Sequence, residues 1–225
     1  MGLTIAIPKG RLGNKAIEIL KGAGVGSAID EDSRKLVFNS ENQSIEFILL
    51  KNSDVITYVE NGIADIGISG KDMIMESSGD FYELYKMNIG RCKMSVAGFK
   101  DKKAFKDDTI LKVATKYPET ARRFFNSRGQ KIKIIKLNGS IELAPILGLS
   151  DVIVDIVETG NTLKANGLEV FEDMYDISAV IISNKISYKF KRKEIKEIIE
   201  LIRREDSNGQ VNWGQYRRIF SWNSK

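Results

Sequence analysis

Residues Asp151 to Leu163 read DVIVDIVETGNTL, and this stretch indicates both the fold class and a ligand site. Its first half carries β-branched apolar residues on both faces, as in a strand buried between two layers of helix. Asp155 and Glu158 lie at the end of this strand, where open α/β sheets bind their ligands. The turn that follows, Thr159 to Thr162, contains Gly160, which lets backbone N–H groups approach an anion.

The acids and the turn suit different parts of one ligand. A phosphate would be held by the N–H groups of the turn and by the hydroxyls of Thr159 and Thr162. Because carboxylates repel phosphate, Asp155 and Glu158 are better suited to accept hydrogen bonds from sugar hydroxyls. The pattern therefore predicts a ribose phosphate ligand. An ordinary turn is the alternative, since acids and glycine at a strand end are also common loop formers.

Size and composition indicate a globular protein. The chain has 225 residues, of which 42% are hydrophobic and 29% charged, enough for one large domain or two lobes. No apolar run is long enough to span a bilayer, and the N-terminal MGLTIAIPKGRL lacks the basic segment and cleavage site of a secretory signal. The single Cys92 cannot form an internal disulfide. We therefore expect a cytoplasmic protein with no membrane partner.

Histidine is absent from the sequence, which excludes several classes of site. Ser-His-Asp and Cys-His nucleophiles, histidine general bases and His-bound zinc all require it. The net charge is +5, with Lys and Arg interspersed among acids, and the aromatic residues (8%) are not interleaved with basic ones as in a nucleic-acid platform. We expect no nucleic-acid partner and favour a small polyanionic ligand.

Strand and helix patterns alternate along most of the chain, which predicts an α/β fold. Near the C-terminus, an apolar stripe on a charged segment predicts an amphipathic helix that is either solvated or a subunit contact. The stripe consists of Ile195, Ile198, Ile199 and Ile202. Besides the Asp151 segment, strands are predicted at Thr4–Ile7, Ile45–Leu50, Ala64–Ser69, Met94–Phe99, Ile110–Thr115, Ile132–Leu137 and Ile177–Ser183.

Three other predicted strand ends carry polar residues that could face the same ligand. Lys9, Gly10 and Arg11 follow the first strand, where a helix start with two cations could bind a pyrophosphate. A solvated basic turn is the alternative there. Ser69 to Asp72 and Thr115 to Tyr117 follow two further strands, and a role in the core or on the surface is the competing interpretation for each.

Several segments together resemble ATP phosphoribosyltransferase, the family of the enzyme that opens histidine biosynthesis. In chain order they are IAIPKGRL, ADIGISGKD, VATKYP, NGSIELAPILGLSD and DVIVDIVETGNTLKANGL. The resemblance runs from about Leu3 to Asn184, and its last segment is the most specific. Two departures stand out, because Ile56 occupies a position where the family often has proline and Ser207 to Lys225 match nothing in the family pattern.

The resemblance implies a two-lobed α/β fold like that of type II periplasmic binding proteins, with an active-site cleft between the lobes. Residues 1–92 and 184–225 would form lobe I, on the ATP and pyrophosphate side. Residues 93–183 would form lobe II, which binds the phosphoribosyl group. The reaction would join N1 of ATP to C1 of phosphoribosyl pyrophosphate and release pyrophosphate. Mg²⁺ would be carried by the substrates, with no protein ligand firmly assigned.

Individual roles also follow from the resemblance. Asp155 and Glu158 would take the ribose hydroxyls, while Lys9 and Arg11 would bind the pyrophosphate or triphosphate, and these four would form the catalytic set. The 5-phosphate would be held by Thr159, Gly160, Asn161, Thr162 and Leu163. The ATP site would include Arg34, Lys51, Ser69 and Gly70.

The chain is too short for the regulatory domain of the long family members, so it resembles the short catalytic form. That form implies a separate regulatory subunit resembling histidyl-tRNA synthetase, and a homo-oligomer of the catalytic chain within a hetero-oligomer. Two alternatives stay open. One is a non-catalytic solute-binding or effector-sensing module on the same fold, and the other is a phosphoribosyltransferase that acts on a free base.

Overall fold

The computed structural model describes residues 2–30, 33–40, 44–102 and 109–208. Their strands form two separate sheets, and we call each sheet with its packed helices a lobe. The first lobe begins with β1 (Leu3–Pro8), α1 (Arg11–Gly22), β2 (Val37–Asn39), β3 (Ile45–Leu50), α2 (Val55–Glu60), β4 (Ile66–Gly70), α3 (Lys71–Glu76) and β5 (Phe81–Lys86).

The second lobe follows in the chain, and the last elements then return to the first lobe. The second lobe contains β6 (Cys92–Gly98), a 3₁₀ turn (Lys100–Lys102), β7 (Leu111–Thr115), α4 (Pro118–Asn126), β8 (Ile132–Lys136), α5 (Leu143–Ile146), β9 (Val152–Val157), α6 (Asn161–Ala165) and β10 (Glu169–Ile177). The returning elements are β11 (Ala179–Asn184), α7 (Lys185–Phe190) and α8 (Arg192–Asn208).

The first sheet has the strand order β2-β3-β1-β4-β11-β5. Its central strands β3, β1 and β4 are parallel, whereas β2, β11 and β5 pair antiparallel with their neighbours. One face packs against α1 and α8, and the other packs against α2. Ile5 and Ile7 of β1 face the first of these cores, and Ala6 between them faces the second, so β1 is buried on both sides.

The second sheet has the order β10-β6-β9-β7-β8, with β9, β7 and β8 parallel. The strand predicted from the Asp151 segment is β9, and it is buried on both faces as expected. Val152 and Val154 pack toward Phe124 of α4, while Ile153 lies in a separate cluster with side chains of α5 and α6.

The chain crosses between the lobes twice, through residues 87–91 and through Ser178. The return crossing differs from the division expected from the sequence, which placed residues up to 183 in lobe II. Strand β11 lies in the first sheet, where Val180 pairs with Ser69 of β4 on one side and with Lys86 of β5 on the other. Cys92, expected to end lobe I, instead begins β6 of the second sheet.

The predicted strands are confirmed to within two residues at each end, and β2, β5 and β10 are additional. The isoleucine stripe of α8 is buried in the core of the first lobe, with Ile195 fully buried. It is therefore part of the core rather than solvated or a subunit contact. Residues 209–225, most of the unmatched tail, lie outside the described residues. Among the described helices, none is long and apolar enough to cross a membrane.

Candidate active site

The carboxyl ends of the parallel strands in the two lobes lie opposite each other. Two side-chain contacts demonstrate this arrangement. Arg11, after β1, places its Nη1 3.3 Å from Oε2 of Glu158, after β9. The Tyr117 hydroxyl, after β7, donates to Oδ2 of Asp72, after β4, at 2.9 Å. Because α/β sheets bind ligands at these strand ends, the cleft between the lobes is the candidate active site.

The turn after β9 has the backbone geometry of an anion site. Gly160 has a φ of 73°, in the left-handed region that favours glycine, and α6 begins at the next residue. The first hydrogen bond of that helical turn runs from Lys164 N–H to the Gly160 carbonyl at 3.0 Å. The N–H groups of residues 161–163 precede this bond, so none of them has an acceptor inside the helix. The Asn161 N–H donates to the Thr159 hydroxyl at 3.4 Å, so a phosphate would compete with that long hydrogen bond while it accepts from the N–H groups of residues 162 and 163.

The side chains of this turn divide into two groups. Thr159 and Thr162 are exposed, and a cavity of about 380 Å³ opens beside the turn, a volume within the range of small-molecule sites. Leu163 is only 5% exposed and packs in the core of the second lobe. A ligand could therefore reach Leu163 only through its backbone N–H. Its side chain fixes the helix to the sheet.

Asp155 lies in the second half of β9, where the residues are half-buried. Its Oδ1 accepts a hydrogen bond from the Ile156 N–H at 2.8 Å. Burial raises the pKa of the Asp155 carboxyl above its ordinary value, and the negative charges of Glu142 and Asp72 add to this rise, while Lys116 opposes it. A carboxylate held in this environment lacks full hydration, so a sugar hydroxyl that donates to it would replace lost hydrogen bonds.

The loop between β1 and α1 presents the cations Lys9 and Arg11, both exposed. Gly10 has a φ of 94°, and the Lys9 N–H donates to the Leu50 carbonyl at 2.6 Å, which fixes the loop against β3. Gly13 explains why α1 can begin so close to the strand. A Cβ at Gly13 would lie 1.6 Å from the carbonyl oxygen of Pro8, so only glycine permits this approach.

The residues expected at the ATP site also lie at the carboxyl ends of the parallel strands of the first sheet. Lys51 follows β3, and Arg34 precedes β2, whose start lies beside the end of β3 through the bond from Leu49 N–H to the Leu36 carbonyl. Ser69 and Gly70 end β4. The Ser69 hydroxyl is completely buried and has no hydrogen-bond partner among the described residues. Buried polar groups without a partner are uncommon in folded proteins, which distinguishes Ser69 from the other polar residues of this strand end.

Two acidic side chains of α3 reach into the second lobe, and the sequence indicated only one of them as a cleft residue. Asp72 accepts the Tyr117 hydroxyl, whose pKa is raised by burial and by the charge of Asp72. Tyr117 is 3% exposed, so it belongs to the core and does not form a stacking surface. Glu76 accepts hydrogen bonds from the first turn of α4. No motif marked Glu76, because its partners are more than forty residues away in the chain.

Cys92 lies near this cleft but is not suited to act as a nucleophile. Burial, together with the charges of Asp72 and Glu158, raises the pKa of its thiol to about 11, so it stays protonated at neutral pH. The described part of the chain contains no group of three or more acidic, Cys or His side chains that could hold a metal ion.

Comparison with known proteins gives a consistent result. The family model of HisG, described as ATP phosphoribosyltransferase, matches residues 51–204. A curated ATP phosphoribosyltransferase of Clostridioides difficile strain 630 is 57% identical over 205 residues, covering 91% of this chain and 99% of that protein. The ATP phosphoribosyltransferase of Clostridium novyi strain NT is 53% identical, covering 91% of this chain and 98% of its own length.

Solved structures agree with this match. The Thermotoga maritima ATP phosphoribosyl transferase (HisG:HisZ) complex contains a chain that superposes with a TM-score of 0.80 at 35% identity, covering 92% of this chain and 99% of its own. The periplasmic aliphatic sulphonate binding protein SsuA of Escherichia coli superposes with a TM-score of 0.60 at 14% identity, covering 92% of this chain and 73% of its own. The second match concerns the fold alone and confirms the two-lobed architecture of type II binding proteins. The chain belongs to the ATP phosphoribosyltransferase family.

Proposed function

We propose that this chain catalyses the reaction for which its family is named, the first step of histidine biosynthesis. N1 of ATP attacks C1 of phosphoribosyl pyrophosphate, the bond from C1 to the pyrophosphate oxygen breaks, and N1-(5-phospho-β-D-ribosyl)-ATP and pyrophosphate leave. The observation that carries the proposal is the contact between Arg11 and Glu158 at 3.3 Å. It brings a cationic loop of one lobe close to the turn after β9 of the other lobe (Thr159 to Thr162), which we call the phosphate-type turn. A reaction between two anionic substrates requires such an arrangement.

The phosphoribosyl donor is assigned to the second lobe. Its 5-phosphate would bind the turn after β9, through the N–H groups of the first turn of α6 and the hydroxyls of Thr159 and Thr162. Asp155 and Glu158 would accept hydrogen bonds from the ribose hydroxyls. As the pyrophosphate departs, positive charge develops on the ribose ring, and in this proposal the two carboxylates stabilise it.

The nucleotide and the leaving group are assigned to the first lobe. Lys9 and Arg11 would hold the pyrophosphate or triphosphate, and a departing pyrophosphate needs such cations because its negative charge grows as the bond breaks. Arg34, Lys51, Ser69 and Gly70 would contact ATP. In this proposal the first lobe comprises the described residues up to 91 and from 179 to 208, and the second lobe comprises the described residues between the two crossings.

Mg²⁺ belongs to the proposal as an ion carried by the substrates. Bound to the pyrophosphate oxygens, it would neutralise part of the charge of the leaving group. Asp155 and Glu158 provide carboxylate oxygens of the kind that Mg²⁺ accepts, and the ion's remaining ligands would be substrate oxygens and water. Two carboxylates are too few to form a Mg²⁺ site by themselves. They therefore suit an ion that is held mainly by the substrates.

A partner and a compartment complete the proposal. The match covers 99% of the Thermotoga maritima HisG chain, which was solved in a complex with HisZ. We infer that this chain, as a short catalytic form, assembles as a homo-oligomer with a HisZ-type regulatory subunit that resembles histidyl-tRNA synthetase. Its expected location is the cytoplasm.

The direct test is incubation of the chain, with and without a HisZ-type subunit, with ATP, phosphoribosyl pyrophosphate and Mg²⁺. Formation of the adduct would be followed by absorbance, and release of pyrophosphate by a coupled assay. We expect both signals to depend on both substrates. A chain that binds either substrate without turnover in any of these mixtures would instead be a binding module, and adduct formation with a free base but not with ATP would identify a different phosphoribosyltransferase.

A further inference from the structure

The first N–H groups of helix α4, in the second lobe, donate hydrogen bonds to a carboxylate of the first lobe. The Glu76 carboxylate, at the end of α3, accepts the Glu119 N–H at 3.0 Å and the Thr120 N–H at 2.9 Å. The same carboxylate accepts the Thr120 hydroxyl at 3.0 Å. Two oxygens of one side chain thus bind three donors across the boundary between the lobes.

This arrangement replaces the usual cap within the helix. A helix start normally satisfies its first N–H groups with a Ser, Thr, Asp or Asn at the N-cap position. In α4 that position is Tyr117, whose side chain makes no capping hydrogen bond. A negative charge at this end also interacts favourably with the helix dipole. If the lobes move apart, α4 loses both contributions at once.

A second contact of α3 lies in the protein interior. Asp72 is 5% exposed and accepts the hydroxyl of Tyr117 at 2.9 Å. The Asp72 carboxylate folds back over the start of α3, so that a Cβ at Gly70 would lie 2.1 Å from its Oδ1. Next to Asp72, Met73 packs against the core clusters of both lobes. The contact between the lobes therefore combines buried polar and apolar groups.

These contacts differ in kind from the one at the cleft rim. Arg11 and Glu158 are both more than half exposed, so water and salt screen their attraction. The contacts of Asp72 and Glu76 are shielded or shared among several donors. The contacts of α3 are therefore screened less by water than the contact between Arg11 and Glu158.

We propose that Asp72 and Glu76, with the Tyr117 hydroxyl and the first turn of α4, form an inter-lobe clamp that sets the width of the active-site cleft. The clamp residues position the site residues of the two lobes relative to each other and do not touch the substrates. Weakening the clamp lets the lobes separate, so substrate binding must first restore the closed arrangement, and apparent affinity falls by the fraction of molecules that are closed. The expected change in substrate affinity rests on the proposed function, whereas the expected separation of the lobes does not.

The test is Glu76→Gln, which keeps the side-chain size but replaces one acceptor oxygen by an NH₂ group facing N–H donors. Small-angle X-ray scattering of the substrate-free chain should show a larger radius of gyration. The KM values for ATP and phosphoribosyl pyrophosphate should rise on the order of tenfold, the factor expected for one lost charge-assisted hydrogen bond, with kcat changed much less. Thr120→Val, which removes only the hydroxyl donor, should shift both quantities in the same direction by less.

The matched control is Glu119→Gln, because the Glu119 side chain pairs with Arg122 within α4 and only its backbone N–H meets the clamp. It should leave the radius of gyration and both KM values unchanged. If Glu76→Gln and Thr120→Val lower the melting temperature but leave the scattering curve and KM values as in the parent, the clamp is only a structural cap and the proposal is wrong. A parent chain that is inactive even with a HisZ-type subunit would refute the proposed function and leave the scattering comparison valid.

Discussion

Arg11 and Glu158 join the two halves of the candidate active site, with Nη1 of the first 3.3 Å from Oε2 of the second. Arg11 follows β1 and Glu158 follows β9, so the pair spans 147 positions of the chain. Both residues belong to motifs that the sequence indicated separately. Their contact places the cationic loop and the phosphate-type turn on opposite walls of one cleft.

Replacing Arg11 with alanine should damage catalysis without damaging the fold. Its side chain is 92% exposed, so the ion pair contributes little to stability, and the melting temperature should stay within experimental error. The value of kcat/KM should fall by about 10–100-fold, as expected for one lost charge-assisted contact to a phosphate. Arg122→Ala is the control, since Arg122 pairs with Glu119 in its own helix. Equal activity losses in the two variants would contradict the assignment of Arg11.

Thr162→Ala and Asp155→Ala test the two halves of the phosphoribosyl site. Each should reduce kcat/KM by an amount on the order of 10–1000-fold, because one or two hydrogen bonds to a charged group are removed. The Thr162 change should act mainly through the KM for phosphoribosyl pyrophosphate. Steady-state kinetics with each substrate varied in turn would measure this. Near-unchanged kcat/KM in both variants would refute the site.

Asp155→Asn should stabilise the protein at neutral pH while it reduces activity. Burial raises the pKa of Asp155 above its ordinary 3.8, so the favourable contribution of this carboxyl to folding is present below pH 3.8 and is lost as pH rises through the folded-state pKa. At pH 7 the ionised group therefore destabilises the fold, and asparagine removes that penalty. Thermal melts between pH 4 and 7 should show the variant's advantage shrinking toward low pH.

Asp173→Asn provides the comparison of opposite sign. Hydrogen bonds from Lys93 and Ser95 lower the pKa of Asp173, so its favourable contribution is present above pH 3.8 and is lost as pH falls through the folded-state pKa. Asparagine at this position should lower the melting temperature modestly at pH 7, since the group is largely exposed, and the difference should disappear in acid. Two variants that behave alike across this range would contradict the environment described for Asp155.

Gly160→Ala and Gly24→Ala separate backbone strain from site geometry. The two glycines have φ values of 73° and 77°, so alanine should cost about 1–2 kcal/mol of unfolding free energy at either position. Only Gly160 lies in the phosphate-type turn, so only its replacement should reduce activity strongly. Chemical denaturation and steady-state kinetics on both variants check this. A fully active Gly160→Ala enzyme would show that phosphate binding does not require the backbone conformation of Gly160.

Addition of a HisZ-type subunit should increase the turnover of the isolated chain severalfold and make it sensitive to histidine. The expectation follows from the similarity of this chain to a chain of the Thermotoga maritima HisG:HisZ complex. The measurement is the adduct assay with and without the purified subunit, with an unrelated protein at equal concentration as the control. Full, histidine-sensitive activity of the chain alone would be inconsistent with this assignment.

The strands that the sequence did not predict share a physical feature. In β10, EVFEDMYDI, charged residues interrupt the apolar positions and two register shifts break the alternation, and among the described strands only β6 pairs with it. The three-residue β2 and the strand β5 also lie at a sheet edge. Edge strands bury less side-chain surface, so their sequences need no long apolar run. The central strands are buried on both faces and were recognised from composition alone.

The local features follow from the amino-acid sequence alone, namely the buried strand β9, the glycine turn after it, the cationic loop after β1 and the alternation of strands and helices. Each depends on residues within a few positions of one another, so local conformational preference and hydrophobic pattern specify it. Tertiary structure decided what lies opposite those features. The return of β11 to the first sheet, the raised pKa of Asp155 and the binding of Glu76 to α4 all depend on groups far apart in the chain, because burial and charge act through space.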